Sequence, residues 1–250
     1  MPDRPVARPP APGAGPEMTP LAERVLAAYG GRALWQAARE VRLELSAWGW
    51  AFRLKWRPSL RRARVTIDPR APRTRITPID RRGITGVLDG TAVRLEAAGG
   101  QVLGSRREPR ALFPYGRRAV WWDALDLTYF AGYAAWNYFA LPALLLRRDI
   151  AWTQLSERTL QARFPPDLPT HCPRQEFHFD SEGLLRQHDY TAEVFGGWAR
   201  AAHVVREHAT SPAGIRYTSR RRVTPRRPDG SARAFPLLVG IEASGYEVVG

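Results

Sequence analysis

Five histidines, His171, His178, His188, His203 and His208, fall in the last third of this 250-residue chain. They are its best groups for acid–base or metal chemistry. His178 and Asp180 stand two apart and would share a strand face, with His188 or Asp189 on the neighbouring strand. A metal would need two or three such groups converging with a carboxylate. His203 and His208 have opposite parity and do not converge within one strand. Without HExxH or another closely spaced ligand set, isolated or hydrogen-bonded histidines are the plainer reading, and no metal is expected. Cys172 follows His171, but neighbours on an extended chain point to opposite sides, and a nucleophilic pair needs adjacency in space. A buried or loop thiol between Pro169 and Pro173 is expected instead.

A single cysteine excludes an internal disulfide, a thiolate zinc site and an iron–sulfur cluster. The sequence has no GxSxG, no P-loop and no GxGxxG after a strand. Gly30-Gly31 and Gly196-Gly197 read as a helix end and a turn. Asp180 to Gly183 is a hairpin turn lacking the other ligands of a calcium loop. No catalytic residue and no cofactor follow from the motifs. His171, His178, His188 and Asp189 remain as a possible polar site, and Asp189, if buried, must be hydrogen-bonded, for instance to Arg or Tyr.

The elements that must position these groups are legible from periodicity. Residues 1–18 are Pro/Ala-rich, show no secretory signal and read as a disordered tail, which places the protein in the cytoplasm. Thr19-Pro20 caps a helix carrying Leu21, Val25 and Tyr29, stopped at Gly30-Gly31. From Val41 the period becomes two. Val41, Leu43 and Leu45 alternate with Arg42, Glu44 and Ser46, and Phe52, Leu54 and Trp56 alternate with Arg53, Lys55 and Arg57. Short runs follow at 63–67, Ile76, 84–88 and 93–95, and again at 150–155, 159–164, 175–179, 184–190, 201–207, 215–223 and 236–243. Turn residues separate them, as in an antiparallel meander with one buried face.

A helical insertion, about 119–146, interrupts the strands. Leu127 to Leu146 carries no formal charge and has the length of a membrane span. Asn137, Thr128, its tyrosines, Gly132 and Pro142 make it only moderately apolar, so a helix buried by a sheet and ended or kinked near Pro142 is expected, with no stable transmembrane span. Leu127, Phe130, Ala134, Tyr138, Leu141 and Leu145 form one stripe at helical spacing. Tyr129, Tyr133, Trp136 and Asn137 form a second, more polar one.

The net charge of +14 is concentrated. Ten arginines and Lys55, the sole lysine, face two aspartates between residues 53 and 82, and seven arginines face Asp229 between 214 and 233. Arg53, Arg62, Arg64, Arg220 and Arg222 keep strand parity opposite the apolar residues, which puts them on the solvent face. That face would suit an anionic partner such as a phosphate backbone or an acidic membrane. Nucleic acid is disfavoured, because the aromatics alternate inward and no recognition helix or zinc-finger spacing is present.

The opening helix ending in AYGG, the meander, the segment WWDALDLTYFAGYAAWNYFALP and the later run THCPRQEFHFDSEGLLRQHDYTAEVFGG together resemble an uncharacterised family of bacterial proteins. That family's fold is similar to the lipoprotein-localisation carriers of bacterial envelopes. The resemblance spans residues 20 to about 245. It implies an α+β half-barrel: a curved, mainly antiparallel sheet wrapped around a central apolar helix, with a short N-terminal helix and an apolar cavity. It brings no catalytic residues.

The expectation is therefore a single domain over 19–250 that binds a hydrophobic small molecule or lipid without catalysis. Its expected ligand-facing residues are Phe52, Leu54, Trp56, Tyr129, Tyr133, Trp136, Asn137 and Tyr138, with Trp48 or Trp50. Those two tryptophans share parity across the Gly49 bend, which leaves open which of them turns inward. Two alternatives stand beside it: an enzyme acting on a small apolar substrate through the His/Asp groups, and docking through the arginine face.

Overall fold

The computed structural model describes residues 18–250. The tail expected over 1–18 lies, except for Met18, outside the described residues. Helix α1 (Pro20–Ala28) begins where Thr19 Oγ1 accepts from the Ala22 amide at 3.2 Å, and α2 (Arg32–Ala37) follows the glycine pair. The first six strands are β1 (Glu40–Trp48), β2 (Leu60–Asp68), β3 (Arg73–Thr77), β4 (Thr85–Asp89), β5 (Ala92–Glu96) and β6 (Val102–Arg107). The last seven are β7 (Ala151–Ser156), β8 (Thr159–Arg163), β9 (Arg174–Phe179), β10 (Leu185–Thr191), β11 (Arg200–Thr210), β12 (Arg216–Pro225) and β13 (Val239–Val249).

All thirteen form one antiparallel sheet in the order β6-β5-β4-β3-β2-β1-β13-β12-β11-β10-β9-β8-β7. Two meanders are thus joined where β1 pairs with β13, from Glu40↔Val249 to Trp48↔Gly240. β6 and β7 are left as edges, so the curved sheet does not close. The fold is α+β, a half-barrel with a short N-terminal helix. On the inner face of β1, Val41, Leu43, Leu45 and Ala47 are buried, while the residues between them are half-buried or exposed. This period-two pattern fixes the register, since a one-residue slip would turn the whole apolar set outward.

The insertion forms α4 (Ala124–Phe139) and, after a break at Ala140, the single turn α5 (Leu141–Leu144), with Pro142 in its first turn. Pro142 has no amide to donate, so it fits a new first turn but not a continuous helix. Every residue of α4 except Leu125 is buried, as an all-round apolar composition requires. The helix packs on β2–β6 across two glycines. A Cβ on Gly132 would lie 2.8 Å from Thr74 Oγ1, and one on Gly86 would lie 2.5 Å from Thr128 Oγ1. No helix among the described residues is long and apolar enough to cross a membrane.

One expected strand is absent. Residues 52–56 belong to a helical turn, α3 (Trp50–Leu54), and its exit. The chain leaves β1 at Gly49, at φ 128°, where a Cβ would meet Leu238 O at 2.5 Å. The amides of Trp50 and Ala51 then bond to Leu237 O and Leu238 O. A helical turn places i and i+3 on one side, so Phe52 and Lys55 turn inward while Leu54 and Trp56 turn out. Five residues of alternation were too few to separate the two periods.

Candidate functional site

Between α4 and the inner face of β1 and β11–β13 lies a cavity of about 480 Å³. Phe130, Ala131, Ala134, Ala135, Tyr138 and Phe139 of α4 wall one side. Leu45 and Ala47 of β1, Ala201 of β11, Val223 of β12, and Val239 and Ile241 of β13 wall the other. Phe52 and Leu54 of α3 and Phe195 also line it. The opening lies where lining residues reach solvent: Leu54 is 54% and Trp198 78% exposed, and the Arg200 and Arg233 side chains are also exposed.

His171, Tyr138 and Tyr190 form the polar part of this wall. Tyr138 Oη lies 2.6 Å from His171 Nε2 and 2.9 Å from Tyr190 Oη, and Tyr133 Oη lies 3.3 Å from His171 Nδ1. The His171 ring stacks on Tyr190 at 3.8 Å between centroids. Behind them His188 donates from Nε2 to Gln175 Oε1 at 2.6 Å. Gln175 in turn donates to Thr170 Oγ1 and, at 2.9 Å, to Cys172 O. Thr170 donates to Asn137 Oδ1 at 2.8 Å, which ties α4 to the loop carrying His171. Arg110, paired with Glu193, donates to Thr170 O at 2.8 Å and His171 O at 3.3 Å, fixing that loop from outside.

The electrostatics of this cluster are set by burial. Desolvation holds the imidazoles of His171, His188 and His203 well below the usual histidine range, and nearby Arg110 or Arg221 adds to the effect. The phenols of Tyr133, Tyr138 and Tyr190 are pushed up for the same reason. Around neutral pH these groups are uncharged donors and acceptors. Arg221 is fully buried with no carboxylate beside it: Nε donates to Thr218 Oγ1 at 2.7 Å and Nη2 to Tyr138 O at 2.8 Å, while Nη1 has no partner. Its guanidinium lies over the Tyr138 ring at 5.1 Å. Burial lowers its pKa only to about 10, so it stays charged.

The sheet divides the histidines by parity. His188 faces inward across from His203, its partner on β11, and His171 joins them from its loop. His178 and Asp189 face outward. Asp189 Oδ2 lies 3.1 Å from both His178 Nε2 and Arg226 Nη1, and Oδ1 accepts from Gln187 at 2.8 Å. Asp189 is thus buried, hydrogen-bonded to His178 and Gln187, and ion-paired with Arg226. The four groups named together as a polar site therefore occupy two sides of the sheet and form no single site. Glu176, His178 and Asp189 are the one group among the described residues with metal-ligand spacing, their donor atoms within 4.8 Å of one another. Arg226 already supplies the positive charge there. Register shifts between Val205 and His208 reverse the parity of β11 and bring His208 to Tyr29 Oη at 3.1 Å.

Of the ten expected ligand-facing residues, Phe52, Leu54 and Tyr138 line the cavity. Trp48 shares parity with Glu44 and Ser46, faces outward and lies over Gly240. Trp50 and Trp56 border a separate open cleft with Arg53, Arg57 and Trp121, because α3 is helical. Tyr129, Tyr133, Trp136 and Asn137 are buried on other sides of α4: Tyr129 against Phe113, Tyr133 against His171, Trp136 donating to Asp68 O at 3.1 Å, and Asn137 to Tyr133 O at 3.0 Å. The apolar stripe, not the polar aromatic one, faces the space. Tyr190, His203, Arg200, Arg221 and Arg233 were not anticipated. Arg221 was hidden inside the triplet Arg220-Arg221-Arg222, whose outer members do face out.

The outer arginines follow strand parity in β2 and β12. Arg62 pairs with Glu44 at 3.0 Å, and Arg220 sits between Glu207 at 2.7 Å and Glu242 at 3.2 Å. Arg53 lies over the Trp50 ring on α3, and Arg64 and Arg222 project outward from their strands. Lys55 departs from the expected solvent face. It is buried, donates to Arg118 O at 3.0 Å and Ala119 O at 2.6 Å, and its pKa is lowered by desolvation.

No family model and no curated protein matches the chain. Among solved structures it is similar to a DUF1329 family protein from Desulfovibrio piger, at 14% identity and a TM-score of 0.48. It is also similar to a protein of Vibrio parahaemolyticus described as an outer membrane lipoprotein-sorting protein domain, at 9% identity and a TM-score of 0.49. Each likeness covers 91% of this chain and 90% of the other. The Vibrio protein is of the kind that the sequence resembles. The cytoplasmic location expected from the N-terminal sequence is withdrawn, since the Vibrio neighbour is described as an outer membrane lipoprotein-sorting protein domain.

Proposed function

We propose that residues 19–250 act as one carrier-like binding domain whose cavity holds a hydrophobic small molecule or a lipid, without catalysis. The observation that carries this reading is the apolar cavity of about 480 Å³ between α4 and the sheet. Small-molecule sites span roughly 300–1,000 Å³ and are mostly apolar, with few polar groups that set orientation. Here the polar lining is small: His171, Tyr138 and Tyr190, with Arg200, Arg226 and Arg233. Leaving such an apolar surface in contact with water costs about 25 cal/mol per Å², and a hydrophobic occupant removes that cost.

The alternative of acid–base catalysis finds less support in the same groups. A proton-transfer residue works best with a pKa near the working pH. Burial drives His171 down and Tyr138 up, away from neutrality on both sides.

Native mass spectrometry and solvent extraction of the purified protein test the proposal. A co-purifying apolar compound, lost on Ala134→Trp, is the expected result. Ala134 lines the cavity, so the indole would occupy the ligand's space. A wild-type protein that carries nothing, and binds no added single-chain lipid, would rule the reading out.

A further inference from the structure

We propose that the ligand is an anionic amphiphile: an apolar chain inside the cavity and a carboxylate or phosphate head at Arg200 and Arg233. This rests on the binding reading above and specifies its ligand class. Three arginines, Arg200, Arg226 and Arg233, line the same cavity as the apolar walls, and no aspartate or glutamate does. Arg226 is held by Asp189 at 3.1 Å. Arg200 and Arg233 are exposed, and neither has a carboxylate within salt-bridge distance among the described residues. Unmatched arginines such as Arg61 and Arg64 also occur on the outer face, but they do not line this cavity.

The polar wall inside does not ask for a ligand head. Tyr138 Oη, Tyr190 Oη and His171 already satisfy one another. A charged head buried there would lose its hydration, a penalty that relaxation only partly removes. At the opening a head stays partly hydrated and meets guanidinium groups, whose planar fork matches the oxygens of carboxylate and phosphate. The cavity is therefore apolar in its walls and positive at its rim.

Titration of the delipidated full chain with oleate, oleyl phosphate and oleyl alcohol, each below its aggregation concentration, tests this. Either anion is expected to bind at least tenfold more tightly than the alcohol. The Arg200→Gln/Arg233→Gln double variant should erase that preference while leaving alcohol affinity within about twofold. The Arg200→Lys/Arg233→Lys variant should keep part of it, because charge remains when the fork is lost. Preference for oleate over oleyl phosphate, or the reverse, identifies which head the rim takes. Equal binding of all three probes, or an unchanged preference in the double glutamine variant, overturns the anionic head and leaves the cavity reading standing. Binding of none of the three overturns both. Both arginines are exposed, and unchanged thermal melting of the variants confirms that affinity, not folding, is being read.

Discussion

Burial of His171, His188 and His203 as neutral rings makes stability depend on pH in a definite direction. Their folded pKa values lie well below the unfolded value of about 6.5, so above that pH neither state binds the proton and there is no penalty. As pH falls from 6.5 toward the folded values, the unfolded chain takes up protons that the folded chain refuses. Stability should then fall by up to about 1.4 kcal/mol per pH unit for each such histidine. His208, pushed down to about 4, adds to the same window. Urea unfolding at pH 7.5, 6.0 and 5.0 measures it, and a flat profile would show these rings to be solvated. In the sequence the five histidines were visible, but their partners were not. His188 and His203 meet only because β10 and β11 pair in that register.

At the scale of the element, α4 was the most legible part of the chain and is held by two features that periodicity did not show. Its N-cap is a capping box of Asp123 and Asp126. Asp126 is fully buried and receives Arg106 at 2.5 Å, Arg117 at 2.8 Å and Arg118 at 2.8 Å. Removing one partner of a buried charge network costs about 3–5 kcal/mol, so Asp126→Asn should lower denaturant stability by that order. An isosteric amide with no measurable effect would mean that the three arginines are solvated. The other feature is close approach to the sheet. Gly132→Ala should cost about 1–3 kcal/mol by overpacking, since its Cβ would sit 2.9 Å from Leu88 Cβ. The same change at Gly99, where a Cβ meets nothing within 4 Å, should be far milder. The error over residues 52–56 is of the opposite kind: a short alternation is compatible with strand or helix, and only the backbone bonds from Trp50 and Ala51 to Leu237 and Leu238 decide.

For the whole molecule, the join of β1 to β13 sets how the two halves of the sheet share one core. Amide exchange should be slowest in β1, β2, β12 and β13 at the centre of the sheet, and fastest in the edge strands β6 and β7. Equal protection at the edges would indicate that the sheet closes, or is covered by a partner, in solution. The cavity lies beside this join, so filling it should be tolerated by the fold. Ala134→Trp is expected to change stability by less than about 1 kcal/mol, below the usual overpacking penalty, while emptying the site. A large loss of stability on thermal melting would show the space to be smaller in solution.

By itself the sequence determined what local periodicity can carry: most strands, the capped first helix, the buried central helix ending near Pro142, and the outward parity of Arg62, Arg64, Arg220 and Arg222. Each depends on residues within a few positions of one another. The tertiary structure alone decided which groups meet. It brought His171, His188 and His203 to one side and His178 with Asp189 to the other, turned Arg221 inward, gave the cavity wall to Ala134 rather than Trp136, and put both Arg200 and Arg233 on the lining of that cavity. Those placements depend on strand register, bulges and the pairing of the chain's two ends. Hydrophobic pattern sets which face of each strand is buried, but leaves open which strand lies beside it.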